Sequence, residues 1–321
     1  MAVLSQRVLH RSRWRAPLEH RARHRSDVDV LRALDGTGGA ARYSELRRAG
    51  VSERAIRRAV ACDQVLAVGH GTFALPWAPR EVALATLFRA QIGCVTACEH
   101  WGLPLWGTHH GTHLVVPRHR SASRRDPFEL AQVTMHRTSS PLPSDVWTPV
   151  AEAIDQSAWC TTAVEQLVLV DGALHRRMLP ARDVAHFGAG PARRRAWLRR
   201  MASGAAESPL ETVARVGLVT AGLVVREQVV VSGVGRIDFV VEDAVAVEVD
   251  GWEFHQSREA FERDRARDRA LLTRGLPVLR FTARELRADL AGAVRQVAKV
   301  AHRETRRDFD RRLDWALRRR P

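Results

Sequence analysis

At 321 residues the chain is long for one hydrophobic core and points to two or three domains. Hydrophobic content of 45% with 27% charged residues suits a soluble globular protein, and no apolar run approaches the length of a membrane span. The formal charge of +15 favours anionic partners, nucleic acid above all. Of 51 basic residues only Lys299 is a lysine, so a catalytic lysine is almost unavailable. The arginine skew also fits a GC-rich coding bias, under which part of the charge is composition rather than function. Four cysteines and no apolar secretory segment point to the cytoplasm and away from a disulfide framework.

In chain order, residues 1–26 read as a basic disordered arm. It is either a nucleic-acid-contacting extension or the product of a wrongly chosen start codon. Residues 27–76 read as three short helices, 27–34, 43–49 and 53–61, followed by two strands around Gly69-His70-Gly71. Ser52 is placed to cap the third helix. Helical spacing puts Arg54, Arg57 and Arg58 on one face of it and Ile56, Ala59 and Val60 on the other. This is a winged helix-turn-helix pattern whose third helix would enter the major groove of DNA. An arginine-rich solvated face that serves protein contacts is the alternative.

Residues 81–200 read as a middle α/β region. Helices are expected over 81–91, 95–101, 163–177 and 192–202, and strands over 113–117 and 132–136. Cys94, Cys98, His100, His109, His110 and His113 could be called a zinc cluster but lack CxxC spacing. Cys94 and Cys98, four apart, read as small packing residues on a helix. Residues 202–206 read as a linker.

From residue 207 the pattern is sharper. Ser208 caps a helix over 209–220 with Pro209 at its first position and Glu211 in its first turn. A strand over 223–231 leads into two apolar runs around Glu242-Asp243-Ala244, a hairpin signal. With that three-residue loop, Val241 faces Val245 and Asp238 stands opposite Glu248. Like charges at that separation are destabilising. A Mg²⁺ ion would resolve the conflict, since it binds one or two carboxylates with water and phosphate oxygens. Solvated acids or arginine partners would resolve it too, and a two-residue turn would break the register. A helix over 257–273, a strand over 276–281 and a helix over 283–301 complete an αβββαβα order. Residues 304–321 read as a charged C-terminal helix.

The N-terminal residues Tyr43-Ser44-Glu45-Leu46, Gly50-Val51-Ser52, Ile56 and Gly71-Thr72-Phe73-Ala74-Leu75-Pro76 resemble the winged-helix domain of AbiEi-type antitoxins. The resemblance extends into the middle region through Trp101-Gly102-Leu103-Pro104, Leu114 to Arg118 and Val133 to Arg137. It implies operator binding and a toxin or defence-system partner. Farther on, several motifs together resemble the Vsr-like group of the PD-(D/E)XK nucleases. They are Ser208-Pro209-Leu210-Glu211, Arg226-Glu227-Gln228, Ile237-Asp238-Phe239, Glu248-Val249-Asp250-Gly251 with His255, Asp264 to Asp268 and Gly275 to Phe281.

This second resemblance implies a C-terminal restriction-endonuclease-like αβββαβ core over 207–303, in an α+β multidomain chain. It implies catalysis by Glu211, Asp238, Glu248, Asp250 and His255. Mg²⁺ or Mn²⁺ would sit on Asp238 and Glu248, with Glu211 near. Asp250 occupies the position where the superfamily usually has lysine. Arg267 and Arg280 are expected on nucleic acid beside Arg54, Arg57 and Arg58, although a salt bridge of Asp264 with Arg267 is an equal expectation. The partners expected are DNA and a second copy of the chain in a homodimer, with no membrane. Two functions follow: a metal-dependent DNA endonuclease, or a DNA-binding regulator that keeps a nuclease fold without cutting. A defence complex cutting RNA is a weaker third.

Overall fold

The computed structural model describes residues 25–119, 132–250 and 258–301. The basic arm expected over 1–26 lies outside them except for its last two residues, and so do the charged C-terminal helix and His255. The chain divides into two compact units. One comprises residues 1–93 and 110–148, and the other residues 94–109 and 149–321. The middle region 81–200 is therefore shared between them. Mixed α and β elements in several sheets match the α+β multidomain expectation.

In the first unit the order is α1 (Arg25–Asp35), β1 (Ala40–Arg42), α2 (Tyr43–Arg48), α3 (Glu53–Ala61), β2 (Leu66–Gly69) and β3 (Thr72–Ala74). Ser52 caps α3 as its position predicts, its Oγ accepting from Ala55 N at 3.1 Å. The expectation of helices followed only by a wing missed β1. That strand has three residues and is held by a distant partner, with Ala40 opposite Ala74 and Arg42 opposite Thr72. The sheet order is β1-β3-β2. Val30, Leu34, Leu46, Ile56, Ala59 and Leu75 form its core.

Next come α4 (Arg80–Phe88) and β4 (Gln91–Ile92), then β5 (Thr112–Pro117) and β6 (Val133–Thr138). The helix expected to reach residue 91 ends at Phe88. Arg89 turns left-handed (φ 49°), and Gln91 and Ile92 pair with β5 instead. A three-stranded sheet, which local pattern does not encode, overrides the helical periodicity.

In the second unit are α5 (Cys94–His100), α6 (Val150–Gln156), α7 (Ala163–His175), α8 (Ala192–Met201), α9 (Pro209–Thr220), β7 (Val225–Val231), β8 (Gly235–Val241), β9 (Val245–Asp250), α10 (Arg258–Leu272), β10 (Val278–Thr282) and α11 (Ala283–Val300). Strands run β10-β9-β8-β7, with β10 parallel to β9 and the other pairs antiparallel. The central strand β9 is buried on both faces: Val245, Ala246, Val247, Glu248 and Val249 are all buried. Helix α9 packs on α7 and α11. Gly217 makes the latter contact possible, because a Cβ there would lie 3.0 Å from Val294 Cγ2.

Two buried arginines hold the helices. Arg194 of α8 donates to Gln166 Oε1 at 2.7 Å and to the carbonyls of Ala158, Thr161 and Thr162. Arg215 of α9 donates to Asp171 Oδ2 of α7 at 2.6 Å and to Met201 O at 2.7 Å, and lies 3.2 Å from Glu227. Some of the arginine excess is thus internal scaffold. The 202–206 segment is tied down where a loose linker was expected, since Ser203 N donates to Asp171 Oδ1 at 2.9 Å and Ala206 is buried.

Candidate functional site

The site is assembled from the start of α9 and the face of the sheet it covers. Ser208 Oγ accepts from Glu211 N at 3.2 Å, which orients the first turn of α9. Glu211 is 6% exposed, and its Oε2 accepts from Glu207 N at 2.9 Å and from Gln228 Nε2 at 2.8 Å. Burial pushes its carboxyl above the ordinary range, and the charge of nearby Asp238 raises it further. The hydrogen bonds from Glu207, Ser208 and Gln228 hold it back.

The hairpin forms as expected: Val241 faces Val245, and Ala244 N donates to Val241 O at 3.0 Å. Glu242 and Asp243 both have φ above 50°, the geometry of a primed hairpin turn. Continued by one pair beyond Phe239 opposite Val247, this register brings Asp238 opposite Glu248. Continued likewise, the β7–β8 register brings Gln228 opposite Asp238, and β10 places Arg280 beside Glu248. Of these, Glu248 and Arg280 are paired in the ladder, while Asp238 and Gln228 occupy the positions that continue it on β8 and β7.

The two acids of the hairpin have different partners. Asp238 Oδ2 accepts from Val249 N at 2.8 Å. Glu248 is 5% exposed, with Oε1 2.8 Å from Arg267 Nη2 and Oε2 3.0 Å from Arg280 Nη2. Arg280 also reaches Asp268 Oδ1 at 2.9 Å, and Arg267 donates to Arg236 O. For Glu248 the arginine-partner reading of the hairpin is what the structure shows. Arg267 and Arg280, expected on nucleic acid, both lie against this carboxylate. The side chains of Asp250 and Asp264 lie outside the described residues.

Gln228 stands in the Arg226-Glu227-Gln228 motif, which by itself gives it no role. It has φ 50°, unusual for a residue other than glycine, and the ladder is interrupted there between Glu227–Phe239 and Val229–Ile237. Successive strand residues ordinarily point to opposite faces. Here both reach α9, Glu227 at Arg215 and Gln228 at Glu211. Two adjacent polar residues leading a valine run were the available signal. Gln228 Oε1 is buried and has no hydrogen-bond partner among the described residues. Hard oxygen donors from Glu211, Asp238 and Gln228 fit a divalent cation.

Elsewhere, Arg54, Arg57 and Arg58 are exposed on α3 as expected, with Arg57 paired to Glu53. Cys98 is buried, and burial pushes its thiol up to about 12. Cys94 is buried with its thiol within 4.8 Å of that of Cys160, a neighbour its spacing from Cys98 does not foresee. Among the described residues, no helix is long and apolar enough to cross a membrane.

Residues 211–300 match the family model REase_MTES_1575. They form a restriction-endonuclease-like domain. The match begins at Glu211 and takes in Gln228, Asp238, Glu248 and Arg280. No curated protein matches the chain. Among solved structures, the RV2827C protein from Mycobacterium tuberculosis aligns with a TM-score of 0.36 and 12% identity, over 61% of this chain and 82% of that one.

Proposed function

We propose that the chain is a metal-dependent endodeoxyribonuclease delivered to DNA by its N-terminal unit. The observation that carries the reading is the proximity of half-buried Asp238 to the buried Glu211 carboxyl in a restriction-endonuclease-like domain. A cation would relieve their mutual repulsion and the desolvation of Glu211. Mg²⁺ or Mn²⁺ would be held by the acids of this site, Asp238 at its centre, and when bound would activate water and neutralise charge on the scissile phosphate.

The protein's own groups do the rest. Ser208 and Glu207 fix the first turn of α9 and the Glu211 carboxylate. Arg280 and Arg267 bring positive charge to the same face, where a phosphate would be oriented. Arginine stays protonated and cannot serve as a base. Asp250 and His255 are the chain's candidates for taking the proton from water. On the N-terminal side, the order α1-β1-α2-α3-β2-β3 with sheet order β1-β3-β2 supports a winged helix-turn-helix. There α3 would present Arg54, Arg57 and Arg58 to DNA. A defence, toxin–antitoxin or repair setting suits this pairing of modules.

The engagement of both Glu248 oxygens by guanidinium groups favours a second reading, a DNA-binding regulator that does not cut. Cleavage of supercoiled plasmid by wild type and Asp238→Ala, with and without Mg²⁺ or Mn²⁺, decides between them. Metal-dependent nicking or linearisation that falls at least about 100-fold in Asp238→Ala supports the nuclease. Tight DNA binding with no metal-dependent cleavage supports the regulator.

A further inference from the structure

Outside the matched residues 211–300, the second unit carries a cavity of about 720 Å³ that opens to solvent. That volume lies within the range of ligand sites, roughly 300–1,000 Å³. Its apolar lining comes from Leu174 near the end of α7, Leu179, Val184 of the short 3₁₀ helix Ala181–His186, and Ala202 just beyond α8. Two charged side chains share the lining, Arg177 and Arg199. Both are exposed, and neither guanidinium has an acid or a hydrogen-bond partner among the described residues. Elsewhere in this unit arginines meet acids, as Arg215 and Arg280 do. Over residues 172–206 there are eight arginines and one acid, Asp183, which lies 3.8 Å from Arg182.

The backbone of Arg177 adds an independent observation. It follows the C-cap of α7 with φ 58°, in the left-handed region where glycine or asparagine is usual after a helix. Arginine there carries a strain that glycine would avoid. Its N–H donates to Leu174 O at 3.0 Å and closes the helix, a bond that glycine would make equally well. What arginine adds at this position is its side chain, and that side chain lines the cavity.

Unpaired guanidinium groups around an apolar recess fit a ligand that joins phosphate to an apolar face, since arginine binds phosphate through two parallel N–H donors. In duplex DNA the base faces are stacked inside, so a recessed apolar surface meets only phosphates and groove edges. An unpaired strand offers base faces together with its phosphates. We propose that this cavity takes an unpaired nucleotide of a DNA strand, its phosphate met by Arg177 and Arg199 and its base and sugar lying against Leu174, Leu179 and Val184. The choice of DNA rests on the nuclease reading, but the site uses neither Glu211 nor Asp238. Gly204 also lines the cavity, and three residues on Glu207 N donates to Glu211 Oε2 at 2.9 Å. A strand anchored here is therefore held by the same stretch of chain that fixes the first turn of α9.

The test is fluorescence anisotropy of full-length protein with a labelled oligothymidylate and with a duplex of the same length. Both are measured in EDTA at about 0.15 M salt, where charges farther apart than about 8 Å are largely screened. Arg177→Gly combined with Arg199→Ala is expected to weaken single-strand binding at least about tenfold and duplex binding less than about threefold. The slope of log affinity against log salt for the single strand should fall by roughly 0.7 for each phosphate no longer neutralised. Glycine relieves the left-handed position and alanine suits an exposed helix, so the Tm should stay at or above wild type and misfolding cannot account for a loss. Arg193→Ala with Arg200→Ala removes the same charge from α8 residues that do not line the cavity, and should change single-strand affinity less than about threefold. Equal losses for duplex and single strand, equal losses in the two double variants, no loss, or no single-strand binding by wild type would each overturn the assignment. So would full competition by free thymidine 5′-monophosphate, which marks a mononucleotide site instead. Because no metal is present, these outcomes are independent of plasmid cleavage, and the failure of Asp238→Ala to abolish cleavage bears on the nuclease reading alone.

Discussion

Removing the Asp171 carboxylate is expected to destabilise the domain that carries the candidate site, through the helix on which Glu211 sits. In Asp171→Ala three donors lose their acceptor: Ser203 N (2.9 Å), Thr212 Oγ1 (2.9 Å) and Arg215 Nη2 (2.6 Å). The side chains of Asp171 and Arg215 are 1% and 6% exposed, so no water replaces the acid at low cost. Breaking a buried ion pair by deleting one member costs about 3–5 kcal/mol. Glu227, 3.2 Å from Arg215 and itself partly exposed, offers the stranded guanidinium a second acid. That places the expectation near the lower end, about 3 kcal/mol.

Burial raises the Asp171 carboxyl to about 6 in spite of Arg215 beside it, so the intact pair offsets less than its own desolvation. A buried pair can be worth little while half of it is expensive. The double variant Asp171→Leu with Arg215→Met is therefore expected to recover most of the loss. Urea unfolding of the full-length chain at pH 7.5, followed by far-ultraviolet circular dichroism, measures both. If the double variant is no more stable than Asp171→Ala, an uncompensated arginine is not the source of the cost. A loss below about 1 kcal/mol in the single variant, the range of exposed pairs, would show that the network is solvated.

Two further outcomes follow from the same structure. The raised Glu211 carboxyl means that its contribution to metal-free stability is present at and below the ordinary value of 4.5 and is lost as pH rises through the higher folded value; the increase in Tm on adding Mn²⁺ should consequently grow as pH rises above the ordinary carboxylate range, and a pH-independent increment would contradict it. Replacing Arg54 and Arg58 with alanine should weaken binding to unrelated duplexes alike and reduce the slope of log affinity against log salt by about 1 for each phosphate that is no longer neutralised, which fluorescence anisotropy at several salt concentrations measures.

Local chemistry is sufficient to read much of the candidate site. Ser208, Pro209 and Glu211 announce the start of α9 because capping depends on neighbours within one turn. The three-residue loop at Glu242 and the facing of Val241 and Val245 follow from strand periodicity and the length of the connection. The faces of α3 follow from 3.6-residue spacing, and the exposure of Arg54, Arg57 and Arg58 agrees with it. Elements with distant partners are not legible. β1 and β4 are short and exist only through pairing with β3 and β5, while α6 has no expectation behind it at all. The excess of arginine hides which members are internal, since nothing near Arg194 or Arg215 in the chain marks their acceptors, which lie on other elements.

By itself the sequence determined the order of elements in the restriction-endonuclease-like domain, the hairpin register and the acids that could meet a cation. It did so because capping, turn length and side-chain alternation are short-range effects. The tertiary structure decided which acid meets which charge. Sheet order put Arg280 next to Glu248, α10 brought Arg267 to the same carboxylate, and a left-handed residue in β7 turned Gln228 toward Glu211. Electrostatic partnership depends on distance in space and on burial, and neither is written in the spacing of residues along the chain.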